Sequence, residues 1–195
     1  MQKAHAFYAG QEYHMYVKTH LQYGQYGQED IEAECIKGSE GYWSSSAGNQ
    51  VLITPTSHLA INDNAEYMSL KKISAEESAA ILKQGSMAQL DQFETYFSKA
   101  ELISNQEGKL QYKLVIGTDK IVYYHINKQL HYIEYVEYSY ADQGEQINVQ
   151  VSFNYRTELT FEDRKALAVD TYIKEEIKGI IGVKAYSNYI IKEVN

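Results

Sequence analysis

The segment HYIEYVEYSYA, residues 131–141, holds four tyrosines in eleven residues. Tyr132, Tyr135 and Tyr138 recur every third residue, a helical spacing, yet the Ile, Val and Tyr around them are strand formers. The preceding residues decide between the two. IVYYHI, residues 121–126, ends at Asn127-Lys128, which reads as a two-residue hairpin loop. Residues 129–141 are then a long antiparallel strand, with Tyr123 opposite Tyr132 and Tyr124 opposite His131. Directly opposed residues share a sheet face. One face carries Ile121, Tyr123, His125, Leu130, Tyr132, Val136, Tyr138 and Tyr140. The other carries Val122, Tyr124, Ile126, Ile133 and Tyr135. Both faces are rich in apolar surface, so each is expected to be covered.

The same period of two runs outward from this hairpin. INVQVSFNY, residues 147–155, alternates cleanly, with Ile147, Val149, Val151, Phe153 and Tyr155 on one side. KLQYKLVIG places Leu110, Tyr112, Leu114 and Ile116 on one face, and AELI precedes it across the NQEG turn. In residues 13–23, Tyr13, Met15, Val17, Leu21 and Tyr23 oppose His14, Tyr16, Lys18, His20 and Gln22. IEAECIK, GYWSS and QVLITP follow as short strands, then HLAIND and EYMSLKKI around an Asp63-Asn64 turn.

Helical signals interrupt this pattern. Residues 2–11 suit a short helix. Ser74 with Glu77 forms a capping box before AEESAAILKQ, and Ser86 with Gln89 restarts a second helix reaching about residue 98. The stretch LTFEDRKALAVDTYIKEEIKG reads equally as one helix begun at Thr160, or as a strand through Val169 followed by a short helix capped by Asp170. AYSNYIIKEV reads as a closing strand. No repeat or linker divides the chain, so residues 1–195 are expected to form a single domain.

Composition narrows the function. The net charge is −8, with 18 Lys+Arg against 26 Asp+Glu. An acidic chain with only two arginines is a poor partner for phosphates, so nucleic acid is not an expected partner. Cys35 is the single cysteine, which excludes an internal disulfide and any CxxC site. No apolar run reaches the roughly 18 residues of a spanning helix, so an integral membrane protein is not expected. Residues 1–12 lack the apolar segment of a signal peptide.

No catalytic or metal motif emerges. His14 and His20 share a strand face but stand about 20 Å apart, too far for one metal. Glu32 and Glu34 alternate as carboxylates of a solvated face do. Ser44, Ser45 and Ser46 have no nucleophile-elbow context, and GQYGQ lacks phosphate-cradle spacing. The expectation is therefore a non-enzymatic chain without catalytic residues, metal or cofactor.

Three short stretches carry a resemblance: GYWSS at 41–45, INDNAEYM at 61–68 and AYSNYII at 185–191. With the order helix, strands, helical insertion, strands, the chain resembles the periplasmic lipoprotein-localisation carriers, the LolA-like superfamily, and cell-envelope proteins of Bacteroidetes in particular. The resemblance implies an α+β fold. Its core is an antiparallel incomplete β-barrel, a half-barrel, with an N-terminal helix and a helical insertion covering one side. It also implies a mature chain of the periplasm or cell envelope whose signal peptide has been removed. The concave face would hold a lipid-like or other hydrophobic small ligand, lined by the strand aromatics Trp43, Tyr123, Tyr132, Tyr138 and Phe153. The alternative is a structural component that docks a lipoprotein or other protein partner through a tyrosine-rich face. One departure stands out: the carriers lock their lid with a cavity arginine, whereas the two arginines here are Arg156 and Arg164, late in the chain.

Overall fold

The computed structural model describes residues 12–24, 27–85, 97–106, 108–117, 120–177 and 179–194. The expected helix at 2–11 and the second helix from Ser86 lie outside these residues. Strands dominate, as the alternating segments predict. They are β1 (Tyr13–Tyr23), β2 (Gly27–Gly38), β3 (Gly41–Ser46), β4 (Asn49–Ile53), β5 (Ser57–Asn62) and β6 (Tyr67–Lys72). Helix α1 (Ala75–Gly85) follows, then β7 (Phe97–Gln106), β8 (Lys109–Ile116), β9 (Lys120–Asn127), β10 (Ile133–Asp142) and β11 (Glu145–Arg156). Helix α2 (Phe161–Ala166), the hairpin β12 (Ile173–Glu176) and β13 (Gly179–Gly182), and β14 (Ile190–Val194) complete the order. The class is α+β with an open antiparallel sheet, as expected.

The chain divides into two compact units, and β1, β2 and β11 give residues to both. The first unit contains Tyr16–Glu32 and the strands within Ser86–Asn154. Its ladder runs β1, β11, β10, β9, β8, β7. One face is apolar: Leu114, Val122, Val136, Ile147 and Val149 are buried along it. The register places them together, through Leu114 opposite Val122, Tyr124 opposite Val136, Val136 opposite Val151, and Tyr138 opposite Val149.

The tyrosine segment is a strand, as read, but the hairpin is not the two-residue one. Asn127 Oδ1 accepts from the backbone N–H of Gln129 and Leu130, and His131 takes a left-handed φ of 62°. This side-chain turn extends the connection through Tyr132. The pairs become Tyr135 with His125, Glu137 with Tyr123 and Tyr138 with Val122, after an irregularity at Ile133. A change of register by an odd number moves side chains to the other face. Tyr123 therefore shares a face with Tyr135 and Glu137, and Tyr138 with Val122 and Tyr124.

The second unit contains Gln11–Met15, Ala33–Gly85 and Tyr155–Asn195. Its ladder runs β14, β6, β5, β4, β3, β2. Leu52, Leu59, Ile61, Met68 and Leu70 project from β4, β5 and β6 into one core with Tyr172 and Ile173. Gly41 opens β3 at φ 153°, where a Cβ would stand 2.2 Å from the Ile53 carbonyl oxygen, so only glycine fits. The α1 capping box is present as read: Ser74 Oγ accepts from Glu77 N at 3.1 Å, and Glu77 Oε2 from Ser74 N at 3.2 Å.

Three boundaries differ from expectation. Phe97, placed in a helix by its spacing, opens β7. Thr160 does cap a helix, but that helix ends at Ala166; a 3-10 turn at Val169–Thr171 then leads into β12, so neither reading of residues 161–178 stands. Asp170, read as a cap, lies inside that turn. The terminal AYSNYII is strand only from Ile190, and it pairs parallel to β6.

Candidate functional site

An open groove of about 490 Å³ crosses the polar face of the first unit. Four neighbouring strands each supply two residues two positions apart. His20 and Gln22 come from β1, Asn148 and Gln150 from β11, Glu137 and Ser139 from β10, Ile121 and Tyr123 from β9. Tyr138 and Val149 complete the lining. The register accounts for this array, with Glu137 opposite Gln150, Ser139 opposite Asn148, and Glu137 opposite Tyr123.

Charged groups around the groove are internally paired. Asp30 accepts from Lys18 Nζ at 2.7 Å and sits 2.7 Å from His20 Nδ1. The Lys18 and His20 contacts hold the Asp30 carboxyl below its ordinary value. Gln150 Nε2 donates to Glu137 Oε1 at 3.3 Å, and Glu137 Oε2 lies 3.3 Å from His125 Nε2. The Tyr135 ring stacks on His125 with centroids 3.7 Å apart. Burial pushes the His125 imidazole below the usual histidine value, against the opposing pull of Glu137. His125 is thus a buried support for Glu137.

The second unit has a different arrangement. Buried His14 lies between two carboxylates, Nε2 at 2.5 Å from Glu34 Oε1 and Nδ1 at 2.8 Å from Asp163 Oδ1. Arg156 Nη2 donates to both Asp163 oxygens, at 2.9 and 2.7 Å, and stands 2.6 Å from His14 Nδ1. Nδ1 is placed to accept from Arg156 or, when protonated, to donate to Asp163. Asp163 also accepts from Thr160 N at 2.6 Å and closes the α2 capping box. Its burial would raise the carboxyl pKa. The Thr160 backbone and hydroxyl donors, with His14 and Arg156, outweigh burial and leave it lowered. The cluster bolts α2 to β1, β2 and β11. A cavity of about 470 Å³ lies elsewhere in this unit, between Leu70, Ile173, Val169 and Val183, with Lys72 and Lys174 at its edge.

The structure distributes the aromatics expected at a site. Tyr123 lines the groove; Tyr138 borders it from β10 but belongs to the opposite face, with Val122 and Tyr124. Tyr132 falls in the loop before β10. Phe153 is half-buried on β11, beyond the groove residues. Trp43 packs against the core of the second unit, and its Nε1 donates to Gln50 Oε1 at 3.2 Å. Gln22, Asn148 and Gln150 escaped the sequence reading because polar residues on alternate strand positions look like any solvated face. Among the described residues, no group of three or more His, Cys, Asp and Glu could hold a metal ion. No helix among them is long and apolar enough to cross a membrane.

The three stretches that carry the resemblance meet inside the second unit. Gln50 bridges Trp43 to Asp63 through Nε2, at 2.8 Å, and Asp63 accepts the Tyr189 hydroxyl at 3.0 Å. Met68 pairs with Ile191. They form a packing signature, with no groove residue among them.

No family model matches the chain, and no curated protein matches it. Several solved structures do. A LolA superfamily protein from Nitrosomonas europaea matches at 12% identity and TM-score 0.36, over 87% of this chain and 96% of that one. A Pseudomonas aeruginosa MucA/MucB complex matches at 8% identity and TM-score 0.40, over 97% and 61%. A putative outer membrane lipoprotein-sorting protein domain from Vibrio parahaemolyticus matches at 8% identity and TM-score 0.33, over 83% and 93%. A LolA superfamily protein thus stands among the matches, and none of these three bears on the Bacteroidetes type.

Proposed function

We propose that this chain is a non-enzymatic binding protein of the cell envelope and that it binds in the four-strand groove of its first unit. The observation that carries this reading is the array itself: eight same-face residues from four adjacent strands around one open volume. Small-ligand sites are concave, with a few convergent polar groups among apolar ones. The periplasmic placement and the half-barrel curvature follow from the sequence resemblance and belong to this proposal.

The test is a blocked groove. Ser139→Trp fills it from an exposed position. Protein recovered from a cell-envelope extract is expected to carry a bound mass in native mass spectrometry, which the variant loses. A bound mass unchanged in the variant sinks the reading.

A second reading, the lipid-like ligand, is favoured by one observation: the cavity of the second unit has buried Leu70 and Ile173 in its wall, with Val169 and Val183, while its edge lysines Lys72 and Lys174 pair with Glu175 and Glu176. A fluorescent fatty acid binding there is expected to be displaced by Val183→Trp; equal binding by both proteins rules it out.

A further inference from the structure

We infer that the groove of the first unit is shaped for a neutral oligosaccharide lying across the strands. The inference rests on the groove being the binding site proposed above and narrows what occupies it.

The footprint comes first. Four strands spaced about 4.8 Å apart span about 14 Å, and two same-face residues cover about 7 Å along each strand. The floor is therefore a slot whose long axis crosses the strands. It suits an extended ligand a few rings long, held from the side.

The hydrogen-bonding groups come second. Among the described residues, the side chains of Gln22, Asn148 and Ser139 and the Tyr123 hydroxyl make no hydrogen bond. Gln150 spends one amide hydrogen on Glu137. An amide offers a donor and an acceptor side by side, and a hydroxyl offers both from one atom. A ligand rich in hydroxyls satisfies this array in either sense. A hydrocarbon chain would bury it unpaired, at a cost for each group.

Charge comes third. Lys18 is taken by Asp30, and Glu137 remains half-exposed in the groove. In a chain of net charge −8 this surface disfavours anions, and none of the residues lining the groove is a lysine or arginine. Ile121, more than a third exposed, and the half-buried Tyr123 supply an apolar strip on which the C–H face of a sugar ring can pack. An extended peptide is disfavoured because such segments dock by backbone bonds at a sheet edge. Here the backbones of β9, β10 and β11 are already paired with one another.

Titration calorimetry of the whole chain with four neutral trisaccharides (maltotriose, cellotriose, chitotriose and mannotriose) tests the assignment. At least one is expected to bind, with affinity unchanged between about 50 and 500 mM salt. Gln22→Ala and Asn148→Ala, both at exposed positions, are each expected to weaken it about tenfold. Failure of all four sugars, loss of binding at high salt, or full binding by both variants overturns the inference. If no sugar binds but a peptide library or phosphatidylglycerol vesicles bind the wild type and not Ser139→Trp, the groove stands as a site and the saccharide assignment falls. If sugars bind equally to Ser139→Trp, both readings fall.

Discussion

Tyr172 and Tyr189 in the second unit, and Tyr138 and Tyr140 in the first, are the same side chain put to opposite uses. Tyr172 is buried and gives its hydroxyl to the Ala166 carbonyl at 2.9 Å; Tyr189 gives its own to Asp63. Tyr186 packs between them, with ring centroids 5.3 and 5.2 Å away. Burial drives the Tyr172 hydroxyl well above its ordinary pKa. Tyr138 and Tyr140 stack on each other at 6.3 Å, and both are more than a third exposed. A buried tyrosine needs a partner for its hydroxyl, and a partner held by another element makes it a structural bolt. At an exposed position water supplies that partner, and the ring stays available. The second unit is thus organised around polar groups partnered within its core, and the first presents tyrosine hydroxyls that water can satisfy.

The largest test of this contrast is a core deletion. Leu59→Ala removes a fully buried side chain from the second unit and is expected to cost about 2–5 kcal/mol in urea denaturation. Gly41→Ala forces a Cβ toward the Ile53 carbonyl and is expected to cost about 1–3 kcal/mol in the same assay. A loss below that range in either variant would mean that the second unit is not the rigid partner in the comparison.

Acid titration probes the His14 bolt. Asp163 has a lowered folded pKa, so its contribution is full above its unfolded value, about 3.9, and is lost as pH falls through the folded value. Asp163→Asn is expected to lose about 1 kcal/mol at neutral pH through the weakened cap. Its urea midpoint should also fall less than the wild type's between about pH 6 and pH 3. Parallel acid curves would remove Asp163 from the account. At the groove, Asn148→Ala is expected to change stability by less than about 0.5 kcal/mol while weakening binding, which separates surface from core. The smallest effect is spectroscopic. Tyr135→Ala uncovers His125 and is expected to raise its NMR titration midpoint, since burial is the main cause of its lowered pKa. No movement would show that the stacked ring does not shield it.

Local chemistry was legible at Ser74 and Glu77, and in the alternation of Ile147, Val149 and Val151, because caps and strand faces depend on residues two or three positions apart. The Thr160 cap was legible too, but the end of its helix was not. Tyr172 and Ile173 leave the helical course to pack on Leu52, Leu59 and Met68, a tertiary demand that overrides propensity. The β9–β10 register was misread because Asn127 builds its own side-chain turn, which a count of loop residues does not reveal. Of the aromatics expected at a site, Tyr123 lies on the face of the groove, Tyr138 on the opposite face, and Trp43 packs against the core of the second unit.

By itself, then, the sequence determined the strand-rich class, the acidic surface and the start points of α1 and α2. Each follows from composition or from neighbours within one turn of chain. Only the tertiary structure decided that β1 lies beside β11, which brings Gln22 and His20 to Asn148 and Gln150. It alone put Tyr123 on the face of Glu137, and joined Trp43, Asp63 and Tyr189 through Gln50. Those juxtapositions depend on which strands pair and in what register. That choice is made by long-range packing, where a slip of one residue turns a face over.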